Sequence, residues 1–189
     1  MRIGSDLDSC ILDTATIILE KLGKPGKRLY NSISRYNIEE SLNIPMNIVE
    51  KVIEYVLNLE DIPYLLDVEK YLPRVYSLCE EFSIITLRKT KMLRIIHQYI
   101  KNILGDGNEF RIYLCNRYNN GNPNKVDIVK KLDLDIFIED RFSTAVDVAE
   151  NTSCKVFLFD QPWNRRDHHG LTRVYSWQDI YNKLIEMGN

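Results

Sequence analysis

The sequence predicts an α/β protein: a parallel sheet covered by helices on both faces, with a helical insertion after the first strand. Three observations lead there. Short apolar runs of strand length alternate with longer segments of helical period. Several of the runs end in an acid or a hydroxyl, at the strand ends where ligands bind in sheets of this kind. One stretch, 14–76, breaks the alternation and offers helical patterns with no convincing buried strand.

In chain order, "MRIGS" reads as the first strand, turning at Asp6-Leu7-Asp8. The insertion follows, with helical patterns in "PMNIVEKVIEYVLNLE" and "DVEKYLPRVYSLCEEF" and with Pro25, Gly26, Pro45 and Pro63 as punctuation. The last of its helices is expected to return to the core. "FSIIT" is the second strand, and "TKMLRIIHQYIKNIL" the helix after it, stopped by Gly105. "EFRIYLC", "LDIFIED" and "KVFLFD" are further strands, separated by the helical segments "NKVDIVKKL" and "STAVDVAENT". "SWQDIYNKLIEM", before Gly188, closes the chain. The strand runs are rich in Ile, Val and Phe, as strands buried on both faces must be. No internal repeat and no low-complexity tract is present. The expected organisation is a core of residues 1–13 and 77–189 interrupted by a cap, 14–76.

At 189 residues, with 44% hydrophobic and 28% charged, the chain can bury one core and a small appended unit. A net charge of -2 gives no general attraction to nucleic acid or to an anionic membrane, so an anionic ligand must be held by a local site. Cys10, Cys79, Cys115 and Cys154 are scattered without metal-ligand spacing, which predicts reduced, packed thiols and a cytoplasmic location. No leader pattern opens the chain, and no run approaches the roughly 18 apolar residues that span a bilayer. No membrane partner is expected.

The chemistry-bearing residues cluster at strand-helix junctions. Asp6 and Asp8 lie on one side of an extended chain, because side chains alternate with a period of two. Two such carboxylates repel unless a cation joins them, and a few carboxylates together with a bound phosphate suit Mg²⁺. Asp13 precedes a helical pattern and is expected to cap it. "SIITLR" ends in Thr86, either a phosphate donor near the next helix N-terminus or a cap of that helix. Lys125 opens a helix, against the usual preference for acids there, and reads as a phosphate ligand or a solvated lysine. Glu139 and Asp140 end a buried strand, as site acids or loop acids.

Taken together, DxD, a strand ending in Thr, a lone Lys opening a helix and a strand ending in an acidic pair resemble the four-motif signature of the haloacid dehalogenase superfamily. "DLDSCILD", "FIEDRFSTAVDVAE" and "VFLFDQPWNR" resemble, more narrowly, the bacterial nucleotidases of the 5'(3')-deoxyribonucleotidase family. Where that family often has Gly and then Val or Thr after the second Asp, this chain has Ser9 and Cys10. Thr86 is followed by Leu87-Arg88 rather than by the Ser-Pro of the deoxyribonucleotidases.

The resemblance implies a Rossmannoid three-layer α/β/α core with a small helical cap, and a phosphatase that works through an aspartyl-phosphate. Asp6 would be the nucleophile, and Asp8 the acid and base. Thr86 and Lys125 would bind the phosphoryl oxygens. Mg²⁺ would be held by Asp6, the backbone carbonyl of Asp8 and Asp140, with Glu139 behind them. The expected substrate is a small phosphate ester, foremost a nucleoside or deoxyribonucleoside 5'- or 3'-monophosphate. A sugar phosphate, a polynucleotide end, or a non-catalytic phosphate-binding role are the alternatives.

Substrate choice falls to the insertion, where Tyr30, Tyr36, Tyr55 and Tyr64 could stack on a base or merely pack. Arg88 could reach a phosphate or sugar. Lys21, Lys24, Lys27 and Arg28 form a basic loop that could steer a longer anion or remain solvated. His168 and His169 read as surface residues, and Asn164 and Arg165 match a family segment of no derivable role.

Overall fold

The structure is a computed structural model, and it describes residues 1–24, 29–115 and 123–188. Pro25, Gly26, Lys27 and Arg28 of the basic loop lie outside the described residues. Six strands, β1 (Arg2–Ser5), β2 (Glu81–Thr86), β3 (Arg111–Leu114), β4 (Ile136–Glu139), β5 (Lys155–Phe159) and β6 (Leu171–Val174), form one sheet in the order β3-β2-β1-β4-β5-β6. Every pairing is parallel. The helices are α1 (Thr14–Lys21), α2 (Ile38–Leu42), α3 (Met46–Leu57), α4 (Val68–Tyr76), α5 (Leu93–Leu104), α6 (Lys125–Leu132), α7 (Phe142–Asn151) and α8 (Trp177–Gly188).

Alternation along the strands sorts the core into two layers. Phe82, Ile84, Ile136 and Ile138 point to one face, where they meet apolar residues of α4, α5 and α8. Their neighbours Ile85 and Phe137 point to the other, against Ile128 and Val129 of α6 and Ala145 and Val148 of α7. Both faces being covered, the strands read as continuous apolar runs. The chain runs from β1 outward to β3, then crosses to β4 on the other side of β1. The strand order therefore reverses between β1 and β4, and a crevice opens at their carboxyl ends. That crevice receives Asp6, Asp8, Glu139 and Asp140.

Among the described residues, α1, α2 and α3 precede α4 in the segment between β1 and β2. Val56 at the end of α3 and Ile18 of α1 join the same apolar cluster as the sheet, while α2 buries no side chain. α4 packs on α5 and α8, as expected of a helix returning to the core. No helix among the described residues is long and apolar enough to cross a membrane. All four cysteines are free thiols.

Two expectations differ from the structure. β6 was not foreseen: "LTRV" mixes Thr172 and Arg173 with two aliphatic residues, as an edge strand paired only to β5 can. Asp13 precedes α1 but makes no side-chain bond to its N–H groups. Its backbone, at φ -79° and ψ 54°, is outside the extended conformation that aims an N-cap carboxylate, and its own N–H donates to the Pro63 carbonyl at 2.8 Å.

Candidate active site

Asp6 leaves β1 with its N–H donating to the Ile138 carbonyl of β4 at 2.8 Å, so the ladder between the two strands fixes its backbone. Its Oδ1 accepts the Leu7 N–H at 2.7 Å, and its Oδ2 faces Lys125 Nζ at 2.7 Å. Lys125 is the first residue of α6, and a reciprocal cap holds that helix start. The Asn124 side chain accepts the Asp127 N–H at 2.9 Å and the Asp127 carboxylate accepts the Asn124 N–H at 3.2 Å. The ammonium also donates to Glu139 Oε2 at 2.7 Å. Far from being solvated, Lys125 has a side chain only 6% exposed.

Glu139 uses its second oxygen to accept the N–H groups of Asp140 at 3.1 Å and Arg141 at 2.9 Å. Both its oxygens are committed, one to Lys125 and one to the turn that aims Asp140. Asp140 Oδ2 accepts Trp163 Nε1 at 3.0 Å, and its carbonyl accepts Asn164 Nδ2 at 2.7 Å. Asn164 also donates to Phe159 O and accepts from Arg173 Nη1 at 2.9 Å, so the segment after β5 pins the end of β4.

The resulting electrostatics favour a dication. Asp6, Glu139 and Asp140 offer carboxylate oxygens within 4.8 Å of one another, all buried. Lys125 pairs with Asp6 and Glu139 while Asp140 lies beside them, so with all three carboxylates ionised the negative charge exceeds that one ammonium by two. Burial pushes the Asp6 carboxyl up to about 7, with Lys125 holding it down against the further push of Glu139 and Asp8. Burial first, and then Glu139 and Asp6, push Asp140 well above the usual carboxylate range. Burial works against the charge on Lys125, but Asp6 and Glu139 outweigh it and raise its affinity for the proton. These hard, oxygen-only donors would suit a hard divalent cation, whose charge would hold the carboxylates ionised.

Asp8 has a different setting. Its carboxylate is 27% exposed. Oδ1 accepts from Thr14 Oγ1 at 2.6 Å and Arg88 Nη2 at 2.7 Å, and Oδ2 accepts from Arg88 Nε at 3.0 Å. Its carboxylate is thus outside the acidic trio, which leaves its backbone carbonyl as the atom to consider for a metal. The next residue, Ser9, has φ 61°, the left-handed region that favours glycine. Its carbonyl accepts Gln161 Nε2 at 2.7 Å, and Gln161 accepts in turn from the Tyr30 hydroxyl.

Thr86 ends β2, nearly fully buried, and its hydroxyl accepts the Arg88 N–H at 3.3 Å. It does not cap a helix, because the next helical turn starts only at Thr90. Arg88 is buried against Asp8 instead of being open to a ligand. Among the four tyrosines, Tyr30 stacks edge-on to Trp163, and Tyr64 is tied to Tyr99 through its ring and hydroxyl. Tyr55 is exposed beside Lys21. Tyr36 is exposed, with the Arg141 guanidinium 4.7 Å from its ring centre, next to Asp140 in sequence. His168 is paired with Glu150 and stacked on His169, away from these residues. Arg165 is exposed and 4.0 Å from Asp160. Trp163 and Gln161 were missed by sequence reasoning, although "DQPWNR" held both and its Pro-Trp after a strand acid was the available signal.

No family model matches the chain. Over 156 residues, 78% of this chain and 74% of the other, it is 25% identical to a protein named nucleotidase from Clostridium acetobutylicum. Among solved structures it is similar to a HAD family hydrolase from Deinococcus radiodurans R1, solved with bound phosphate and sodium, at TM-score 0.61 and 13% identity over 99% of this chain and 96% of that one. It is also similar to the 2-haloacid dehalogenase of Pseudomonas syringae pv. tomato, at TM-score 0.54 and 12% identity over the whole of both chains. A HAD hydrolase from Entamoeba histolytica gives TM-score 0.53 and 16% identity over 98% and 99%. With its β3-β2-β1-β4-β5-β6 parallel sheet and a switch point lined by acids, the chain has the fold of the haloacid dehalogenase hydrolases.

Proposed function

We propose that the protein is a Mg²⁺-dependent phosphomonoesterase that works through an aspartyl-phosphate on Asp6, with nucleoside 5'- or 3'-monophosphates as its substrates. The observation that carries this reading is the buried cluster of Asp6, Glu139 and Asp140, with Lys125 paired to Asp6 and Glu139, at the switch point of the sheet. Asp6 attacks phosphorus; a bond forms from its carboxylate oxygen as the ester oxygen leaves. Asp8, within the same crevice and part exposed, protonates that leaving oxygen. Water then attacks the aspartyl-phosphate, gives its proton to Asp8 and releases inorganic phosphate, returning Asp6. Lys125 and Thr86 hold phosphoryl oxygens, and Glu139 holds Lys125.

Asp6, the carbonyl of Asp8 and Asp140 would hold Mg²⁺, whose charge allows an anionic ester to approach an anionic nucleophile. Two observations support a nucleotide: the relative from Clostridium acetobutylicum carries the name nucleotidase, and Tyr36 offers an exposed ring beside Arg141 near the acids.

The test is phosphate release from nucleoside 5'- and 3'-monophosphates, ribo and deoxy, from sugar phosphates and from a 3'-phosphorylated oligonucleotide, with and without Mg²⁺. Mg²⁺-dependent release from mononucleotides, lost in Asp6→Asn, is expected. A folded protein that releases phosphate from none of them overturns the reading; release from sugar phosphates alone overturns the substrate class.

A further inference from the structure

We propose that Arg88 is a positioning residue for Asp8: its buried guanidinium sets the direction in which Asp8 presents its carboxylate, and ties that direction to the end of the insertion helix α3. This rests on the acid role given to Asp8 above.

Three features of the geometry carry it. The Arg88 side chain is 1% exposed while the Asp8 side chain it holds is 27% exposed. A group sealed in this way cannot reach a substrate, but it can fix one that does. Its contact with Asp8 is a fork, Nε to Oδ2 at 3.0 Å and Nη2 to Oδ1 at 2.7 Å, which fixes both the place and the plane of the carboxylate in a way a point charge cannot. Thr14 Oγ1 braces Oδ1 at 2.6 Å. The remaining nitrogen, Nη1, donates at 3.2 Å to the carbonyl of Leu57, the last residue of α3. Carbonyls in a helix's last turn lack intrahelical partners, so this bond satisfies one and couples the insertion to the loop after β2. Proton delivery to a leaving oxygen depends on such alignment, and a misplacement of about 1 Å can cost ~10²-fold in rate.

The role separates from a structural one through the leaving group. A simple alkyl phosphate needs a proton on its departing oxygen, whereas para-nitrophenyl phosphate departs with little help. The experiment compares kcat/KM for these two esters in the wild type, Asp8→Asn, Arg88→Met and Arg88→Lys, each checked for folding by thermal denaturation. Asp8→Asn is expected to lose far more on the alkyl ester than on the nitrophenyl ester. Arg88→Met should lose ~10²-fold on the alkyl ester and under about tenfold on the nitrophenyl ester. Arg88→Lys, with the charge but not the fork, should recover part of that loss, and it carries the same comparison if Arg88→Met does not fold. Equal losses on the two esters in the Arg88 variants, or no loss, overturn the inference while a selective loss in Asp8→Asn leaves the acid role standing. Equal losses in Asp8→Asn itself overturn that role and the inference with it.

Discussion

At the strand ends, Asp6, Lys125, Glu139 and Asp140 are each no more than 9% exposed, and among the described residues every buried side-chain nitrogen and oxygen has a partner. Above them, α2 buries nothing, α3 buries only Val49 and Val56, and Tyr36, Met46, Ile48 and Tyr55 stand exposed. The contrast follows from what each region holds. Charges taken out of water must be matched by neighbours or they neutralise, so each group on the floor of the site constrains the next. Exposed aliphatic side chains such as Met46 and Ile48 place no such constraint on their neighbours. Under the proposed function, the floor carries the chemistry and the insertion the choice of substrate.

Substitutions on the two sides should differ in kind as well as in size. Lys125→Met leaves Asp6 and Glu139 facing each other without their shared cation. It should cost ~3–5 kcal/mol of stability in urea unfolding and lower kcat by roughly 10²–10³-fold. A variant that unfolds like the wild type would mean that the three-way contact does not hold the floor together. Tyr36→Ala, by contrast, removes a partly exposed ring of the insertion, stacked on Arg141, and leaves the acids themselves in place. If the ring meets the substrate's base, KM should rise by about fivefold, worth ~1 kcal/mol, with kcat changing much less than KM. A fall in kcat with KM fixed would move Tyr36 from selection to the chemistry. The smallest effect belongs to Ser9, whose φ of 61° is strained for any residue with a Cβ. Ser9→Gly should raise unfolding free energy by no more than ~1 kcal/mol, because relief of strain is partly offset by a more flexible unfolded chain. A loss of stability would show that the Ser9 side chain, not its backbone, is what the turn needs.

The core was legible because its signals are local. Apolar runs ending in Asp6, Thr86 and Glu139 record strand and strand end within a few residues, and the parallel order follows from the helices between them. Ser9 stands where the resembling family often has Gly, and the positive φ supplies the physical reason for that preference. What could not be read depends on distant pairs or on backbone angles. The bond from Trp163 to Asp140 and the fork from Arg88 to Asp8 join residues 23 and 80 positions apart, and no periodicity records either. Asp13 has the residue type and place of a cap but not the backbone angles. β6 hid because an edge strand can spend half its residues on polar side chains. Lys125 looked like a solvated lysine as readily as a buried one, since only the fold brings Asp6 and Glu139 to its ammonium.

The most direct measurement is to stop the reaction in acid during turnover of a mononucleotide with Mg²⁺, digest the protein and locate any phosphoryl group by mass spectrometry. The expected result is one phosphoryl group on the Asp6 carboxylate, absent without Mg²⁺ and absent in Asp6→Asn. Turnover with no phosphoryl group on Asp6, or with the group on another residue, would contradict Asp6 as the nucleophile.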